Sequence, residues 1–246
     1  MVGPDKISQR KQVMKKVVGA LILTASFSTV ADSEIAASFG SFSVDGQDSG
    51  FALDGDLDSF AVNYRLGLTD ALTLQFGYEE RDGDFTLTTG EQTDYEATEV
   101  ELLFSYKICA TEGCTLAFEP YAGYRRFEGD NALTAFGVSV NVAQERDEIP
   151  FGVVVGYTSG ALEYGIDLGM GRKISDKQVI PALGVNQSSD DNWVSRVAIP
   201  VRYNVNDQFF LEFRYEMEDV KFKDSAGART AKEENEQFTF GAGFKF

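Results

Sequence analysis

The side chains able to do chemistry here are carboxylates and guanidinium groups, because the 246-residue chain holds 39 acids, 22 bases and no histidine. Without imidazole, neither a Ser-His-Asp nor a Cys-His nucleophile can be assembled, and zinc sites that need His are excluded too. The two cysteines, Cys109 and Cys114, frame only Ala-Thr-Glu-Gly. Residues facing each other across an antiparallel pair lie roughly 4.5–5.5 Å apart at Cα, within disulfide reach, so a bonded hairpin turn is expected of an exported chain. Asp54, Asp56 and Asp58 share the spacing of the first ligands of an EF-hand loop, yet Ser59 stands at its glycine position and Arg65 at its closing Glu. They are the metal candidates for Ca²⁺ or Mg²⁺, and a solvated acidic loop is the plainer reading. Glu99 and Glu101 form a carboxylate pair that an enzyme could use, but i and i+2 residues on one strand face more often line a wall.

What must position these groups is a set of strands. Ten stretches alternate apolar and polar residues: 34–44, 59–68, 72–81, 95–108, 115–127, 145–157, 162–172, 193–203, 209–222 and 236–246. In 59–68, for instance, Phe60, Val62, Tyr64, Leu66 and Leu68 fall on one face and Asn63 and Arg65 on the other. That is the period of a strand with one apolar face. The connections alternate short and long: 69–71, 109–114, 158–161 and 204–208 are turns, while 45–58, 82–94, 128–144, 173–192 and 223–235 are polar and long. An up-and-down antiparallel meander produces this rhythm when all turns lie at one end. Gly169 and Gly171, like Gly241 and Gly243, lie in strands with no helix after them, so they give bulky neighbours room and bind no phosphate.

The ends of the chain give the meander a setting. Residues 1–31 carry Lys6, Arg10, Lys11, Lys15 and Lys16, then a mostly apolar run and Thr29-Val30-Ala31, the layout of a cleaved signal peptide. Met14 is an alternative start. Cleavage would remove five bases and one acid and take the formal charge from −17 to −21. Such a charge argues against a nucleic-acid partner, which needs a basic surface. The last strand ends Phe238, Phe240, Ala242, Phe244, Phe246 on one face. With the export signal, this ending resembles the C-terminal signature of small Gram-negative outer-membrane β-barrels, over residues 32–246. The resemblance implies an outer-membrane location and recognition of Phe238, Phe240, Phe244 and Phe246 by the barrel-assembly machinery. It also implies contact with lipopolysaccharide, with divalent cations at the acidic loops.

The fold expected is therefore all-β: a closed antiparallel up-and-down transmembrane barrel of ten strands, or eight if two fail, in one domain with no cofactor. Its apolar face should meet lipid. Tyr106, Tyr157, Tyr164 and Tyr203 lie beside short turns, and Tyr78, Tyr124, Tyr215 and Trp193 toward long loops, as two interfacial girdles require. The opposite face would line the lumen with Arg65, Glu99, Glu101, Lys107, Glu119, Arg125, Glu163, Asp167, Arg196, Arg202, Glu212, Arg214 and Glu216. Charges in a narrow barrel must pair, because unpaired buried charges are costly. The expected pairs are Lys107 with Glu119, Arg202 with Glu163, and Arg196 with Asp167 or Glu212. Pro120, Pro150 and Pro200 each remove a ladder donor and mark bulges or strand ends.

Known outer-membrane enzymes offer a contrast. Omptin proteases combine acidic pairs with a His-Asp pair, and the outer-membrane phospholipase, lipid A deacylase and palmitoyltransferase also depend on a His. The function expected is thus a non-enzymatic barrel whose acidic outer loops serve surface interaction or envelope integrity. The alternatives are a narrow, weakly cation-selective pore and a carboxylate-based enzyme.

Overall fold

The computed structural model describes residues 33–48, 51–87, 92–135, 138–180, 185–188, 193–223 and 230–246. The expected signal segment lies outside the described residues. Ten long strands follow in order: β1 (Ser33–Asp48), β2 (Phe51–Gly67), β3 (Leu72–Leu87), β4 (Gln92–Tyr106), β5 (Leu116–Ala135), β6 (Val138–Ser159), β7 (Leu162–Ile180), β8 (Trp193–Asn204), β9 (Phe209–Lys223) and β10 (Thr230–Lys245). Each pairs antiparallel with the next, and β10 returns to β1 from Glu34↔Lys245 through Gln47↔Lys232. The sheet is a closed ring of ten, not eight, so no long strand is left with an open edge. Two short strands, Ile108–Cys109 and Val185–Ser188, pair only with β5 and β7.

The ring is staggered. Partnered residues followed once around it from Ser33 return to β1 at Asp45, twelve residues further along. Closure with such a shear tilts strands by roughly 35–45° to the barrel axis.

One section of the barrel turns its apolar side chains outward. Phe39, Phe76, Leu102, Phe104, Phe118, Phe151, Ile166, Leu168, Ile199 and Phe240 are all exposed. Phe39, at 66%, is the most exposed large apolar side chain among the described residues. A face this greasy over many strands is stable only against hydrocarbon. Tyr106, Tyr157, Tyr164 and Tyr203 are exposed beside the short turns, with Tyr124 and Trp193 at the other border. There the Tyr78 hydroxyl donates to Glu80.

The strands are longer than a bilayer needs. They run 12 to 22 residues, against roughly 9–11 for a membrane-spanning β-strand. The surplus lies at the end away from the short turns, and it corrects the reading of the polar stretches. Residues 45–48 and 51–58 are strand: β1 and β2 stay paired to Asp48↔Phe51. Likewise β3 and β4 pair to Thr86↔Gln92, and β5 and β6 to Ala135↔Val138. Most of 173–192 and 223–235 is strand as well. We call this protruding part the crown. Its pattern is reversed: Phe42, Val44, Leu57 and Phe85 point inward as a buried cluster against Tyr95, while Asp54, Asp56, Asp58, Asp82, Asp84, Asp94 and Glu96 are exposed.

At the opposite end Cys109 and Cys114 are bonded, with their Cα atoms 4.8 Å apart, closing the turn between β4 and β5. Pro120 keeps its register with Val153. Pro150 and Pro200 instead sit in gaps in the ladder, opposite Gly123 and Gly165.

Candidate functional site

The polar face of the alternating strands becomes the wall of the lumen, where three tiers of charge follow from the turns upward. In the lowest, Arg202 Nη1 donates to Glu34 Oε2 at 2.8 Å and Nη2 lies 3.7 Å from Glu212. Lys245 Nζ is 3.9 Å from the other Glu34 oxygen. Arg65 Nη2 donates to Glu119 at 2.9 Å, and the Ser105 hydroxyl donates to the same oxygen.

The middle tier is a lattice. Asp167 accepts from the Tyr121 hydroxyl at 2.9 Å and from Arg214 Nη2 at 2.7 Å, and Arg214 also reaches Glu216 at 2.7 Å. Arg196 Nε meets Glu216 at 2.8 Å and its Nη2 bonds Glu218. Arg125 bridges Glu99, at 3.0 Å, and Glu101. Arg81 ties Glu79, at 3.0 Å, to Glu99, at 3.6 Å. Buried pairs of this kind are held because losing one partner would strand the other's charge away from water.

In the upper tier Glu148 is fully buried, with Arg125 and Arg196 nitrogens 3.9 Å from its Oε1. Its space is made by Gly171, where a Cβ would come 1.9 Å from that oxygen. Lys173 Nζ donates to Asp176 at 3.1 Å. Above lies the apolar plug of the crown. The two layers are joined by the Arg81 guanidinium, 4.1 Å over the Phe42 ring. Within the plug Phe85 and Tyr95 pack edge to face at 4.6 Å. Burial pushes the Tyr95 hydroxyl well above the ordinary tyrosine pKa, with Arg81 opposing and Glu233 adding to the shift.

All thirteen residues assigned to the lumen lie along its wall, but the partners differ from those expected. Glu119 is taken by Arg65, and Lys107 stands exposed at the mouth. Arg202 and Glu163 are register partners, yet Arg202 bonds Glu34 and Glu163 accepts from Asn204 Nδ2 at 2.7 Å. Arg196 reaches Glu216 and Glu218, leaving Asp167 to Arg214. The cause is the stagger. Heights counted along each strand put residues level that the tilt separates, and long guanidinium arms then bond diagonally. Glu34, Glu79, Arg81, Arg146, Glu148 and Glu218 join the network beyond the expected set. Each carried the same signal, an inward position in the alternation.

The Asp candidates do not converge. Asp54, Asp56 and Asp58 occupy alternate positions of β2, so their side chains stand parallel along its outer face, and the Ser43 hydroxyl donates to Asp56 at 2.7 Å. Among the described residues no group of three or more His, Cys, Asp or Glu side chains could hold a metal ion. Glu99 and Glu101 share the Arg125 guanidinium, and Glu99 also lies 3.6 Å from Arg81, so both carboxylates are engaged in ion pairs.

No protein-family profile matches the sequence, and no curated protein matches it. Solved structures do. The translocator domain of autotransporter NalP from Neisseria meningitidis is 9% identical, with a TM-score of 0.52 over 98% of both chains. The outer membrane protein OprG from Pseudomonas aeruginosa is 11% identical, with a TM-score of 0.43 over 88% of this chain and 96% of its own. Ail, the attachment invasion locus protein of Yersinia pestis, is 13% identical, with a TM-score of 0.40 over 87% and 98%. The likeness to the translocator domain is one of fold. The chain has the closed barrel of Gram-negative outer-membrane proteins, with a lipid-facing belt of its own.

Proposed function

We propose that the protein is a non-enzymatic, non-conducting barrel of the outer membrane whose work is done by its crown at the cell surface. The observation that carries this reading is the guanidinium–carboxylate lattice across the lumen at membrane height, with the buried Phe42–Val44–Leu57–Phe85 cluster of β1–β3 above it. Barrels with about eight to ten strands are commonly filled by side chains, and this one is filled in two chemically different ways. Outside, the crown presents carboxylates directly opposite one another, Asp56↔Asp84↔Asp94 and Asp58↔Asp82↔Glu96↔Asp130. A surface of that charge suits cationic ligands, or lipopolysaccharide phosphates approached through a layer of divalent counter-ions. The outward phenylalanines of β10 are suited to recognition by the assembly machinery during insertion.

Reconstituted into planar bilayers at neutral pH, the protein should be silent. Steady cation-selective steps would establish the pore reading instead, which draws on the excess of acids along the wall. Replacing 45–58 by a tight turn should leave the barrel folded and remove the surface phenotype. An unchanged phenotype would count against a crown-borne function.

A further inference from the structure

The lumen contains a cavity of about 370 Å³, lined by lattice residues such as Arg81, Arg125 and Arg196 and reaching down to Lys107 and Thr158 beside the short turns. Its wall is not uniform. Between β7 and β8 the ladder runs to Ala198↔Asp167, stops, and resumes at Val201↔Tyr164. The interruption falls at Pro200, which has no N–H to give to Gly165 opposite. Gly165 pairs on its other side with Gly156, and a Cβ at Gly156 would meet no atom within 4 Å, since that position opens on the cavity. On the far side of the same gap Ile166 and Ile199 lie exposed to lipid. At this place the Pro200 ring and a ladder lacking one hydrogen-bond donor stand between the chamber and the lipid-facing Ile166 and Ile199. Immediately below the gap Arg202 and Glu163, register partners of opposite charge, both line the cavity.

We propose that the β7–β8 seam at Pro200 is a lateral port that takes a single-chain zwitterionic amphiphile, its head in the cavity and its acyl chain in the bilayer. The volume sets the division. A chamber at the small end of the usual range of roughly 300–1,000 Å³ holds a polar head but not a long chain as well. The opposite charges nearest the gap set the head: Arg202, on exchanging Glu34 for ligand, suits a phosphate, and Glu163, which accepts from Asn204, an ammonium. The port leads sideways below the lattice, so it goes beyond the closed-lumen reading and stands or falls separately from bilayer conductance.

The test is equilibrium binding of radiolabelled palmitoyl-lysophosphatidylcholine to the protein in phospholipid nanodiscs, with empty nanodiscs subtracted. In a background with Cys109 and Cys114 changed to Ser, the pair Ile166→Cys and Ile199→Cys is oxidised to lock the seam, then reduced. Locking should weaken binding by about tenfold or more, and reduction should restore it. Gly156→Leu fills the chamber side without touching the ladder and should give the same loss, so the outcome does not hang on the cysteine pair. Glycerophosphocholine, the head without the chain, should bind far more weakly. Equal binding by locked and reduced proteins, by Gly156→Leu and the unmodified chain, or by the chainless head would overturn the port. So would absence of binding to the unmodified protein.

Discussion

The belt and the crown are built from the same ten strands with opposite conventions. In the belt Phe60 and Tyr64 of β2 lie on the outward face and Arg65 faces the lumen. Three residues beyond Phe60 toward the tip, Leu57 is fully buried inside and Asp54, Asp56 and Asp58 face water. The difference teaches that a strand's two faces are assigned by solvent, not by topology. Where the outside is hydrocarbon, the polar set must be neutralised within. Where the outside is water, the ordinary rule returns and the apolar set turns inward. The switch occurs without a break in pairing, since β1 and β2 remain in one register from Ser33↔Leu66 to Asp48↔Phe51.

The sharpest way to break this division is to remove a charge from inside the belt. Arg125 is buried and touches Glu99, Glu101, Glu148 and Glu218. Arg125→Ala takes from Glu101 its ion-pair partner and leaves Glu99 to Arg81 and Glu148 and Glu218 to Arg196; it should cost about 3–5 kcal/mol, read as a lower urea midpoint for unfolding from liposomes. It should also admit ions to the middle tier and give conductance if the plug is loosened with it. Phe85→Ala attacks the other layer. It should cost about 3–4 kcal/mol, but locally: the crown becomes sensitive to protease while the belt stays protected. If both variants unfolded the whole barrel together, the two sections would be one cooperative unit.

A like-for-like swap tests the outer faces. Leu102→Arg places a cation on the lipid side of the belt and should cost about 2–4 kcal/mol. Asp84→Arg puts the same side chain on the outside of the crown, between Asp56 and Asp94. It should be neutral or stabilise by up to about 1 kcal/mol, since it relieves like charges directly opposite. Two costs of the same sign would contradict a water-facing crown.

The belt was legible in the sequence because alternation over five or six residues, as in Phe60–Val62–Tyr64–Leu66, needs no knowledge of partners. The crown was not, although its alternation is just as regular. The apolar set changes face at the border, from Ile35, Ala37 and Phe39 to Phe42 and Val44 in β1, and from Leu57 to Phe60 in β2. A pattern sought on one face ends where the phase slips by a residue, and the remainder, rich in aspartate and glycine, reads as loop. The Asp54-Gly-Asp-Leu-Asp58 run held the clue, since its acids alternate strictly. The lumen residues were legible as a face but not as pairs. The pairs depend on a twelve-residue stagger that emerges only when all ten strands close, and no single hairpin encodes it.

The finest test of the two conventions is a titration. Tyr95 belongs to the plug, flanked on the outside by Asp94 and Glu96, and burial raises its pKa above the ordinary value of about 10. A group whose folded pKa is raised contributes stability that is complete below its unfolded pKa and lost as pH climbs through the folded one. From pH 7 to about 10 the plug should therefore be indifferent to pH, and above that range the crown should loosen as the phenolate forces its way to water. Tyr95→Phe keeps the ring against Phe85 and removes the proton. The difference in ultraviolet absorbance near 295 nm between the two proteins isolates this one tyrosine from the other nine. It should titrate late, and the crown's added protease sensitivity at high pH should vanish in the variant. A difference spectrum that rises at the ordinary tyrosine pH would mean that water already reaches the plug, and that the crown is as wet inside as out.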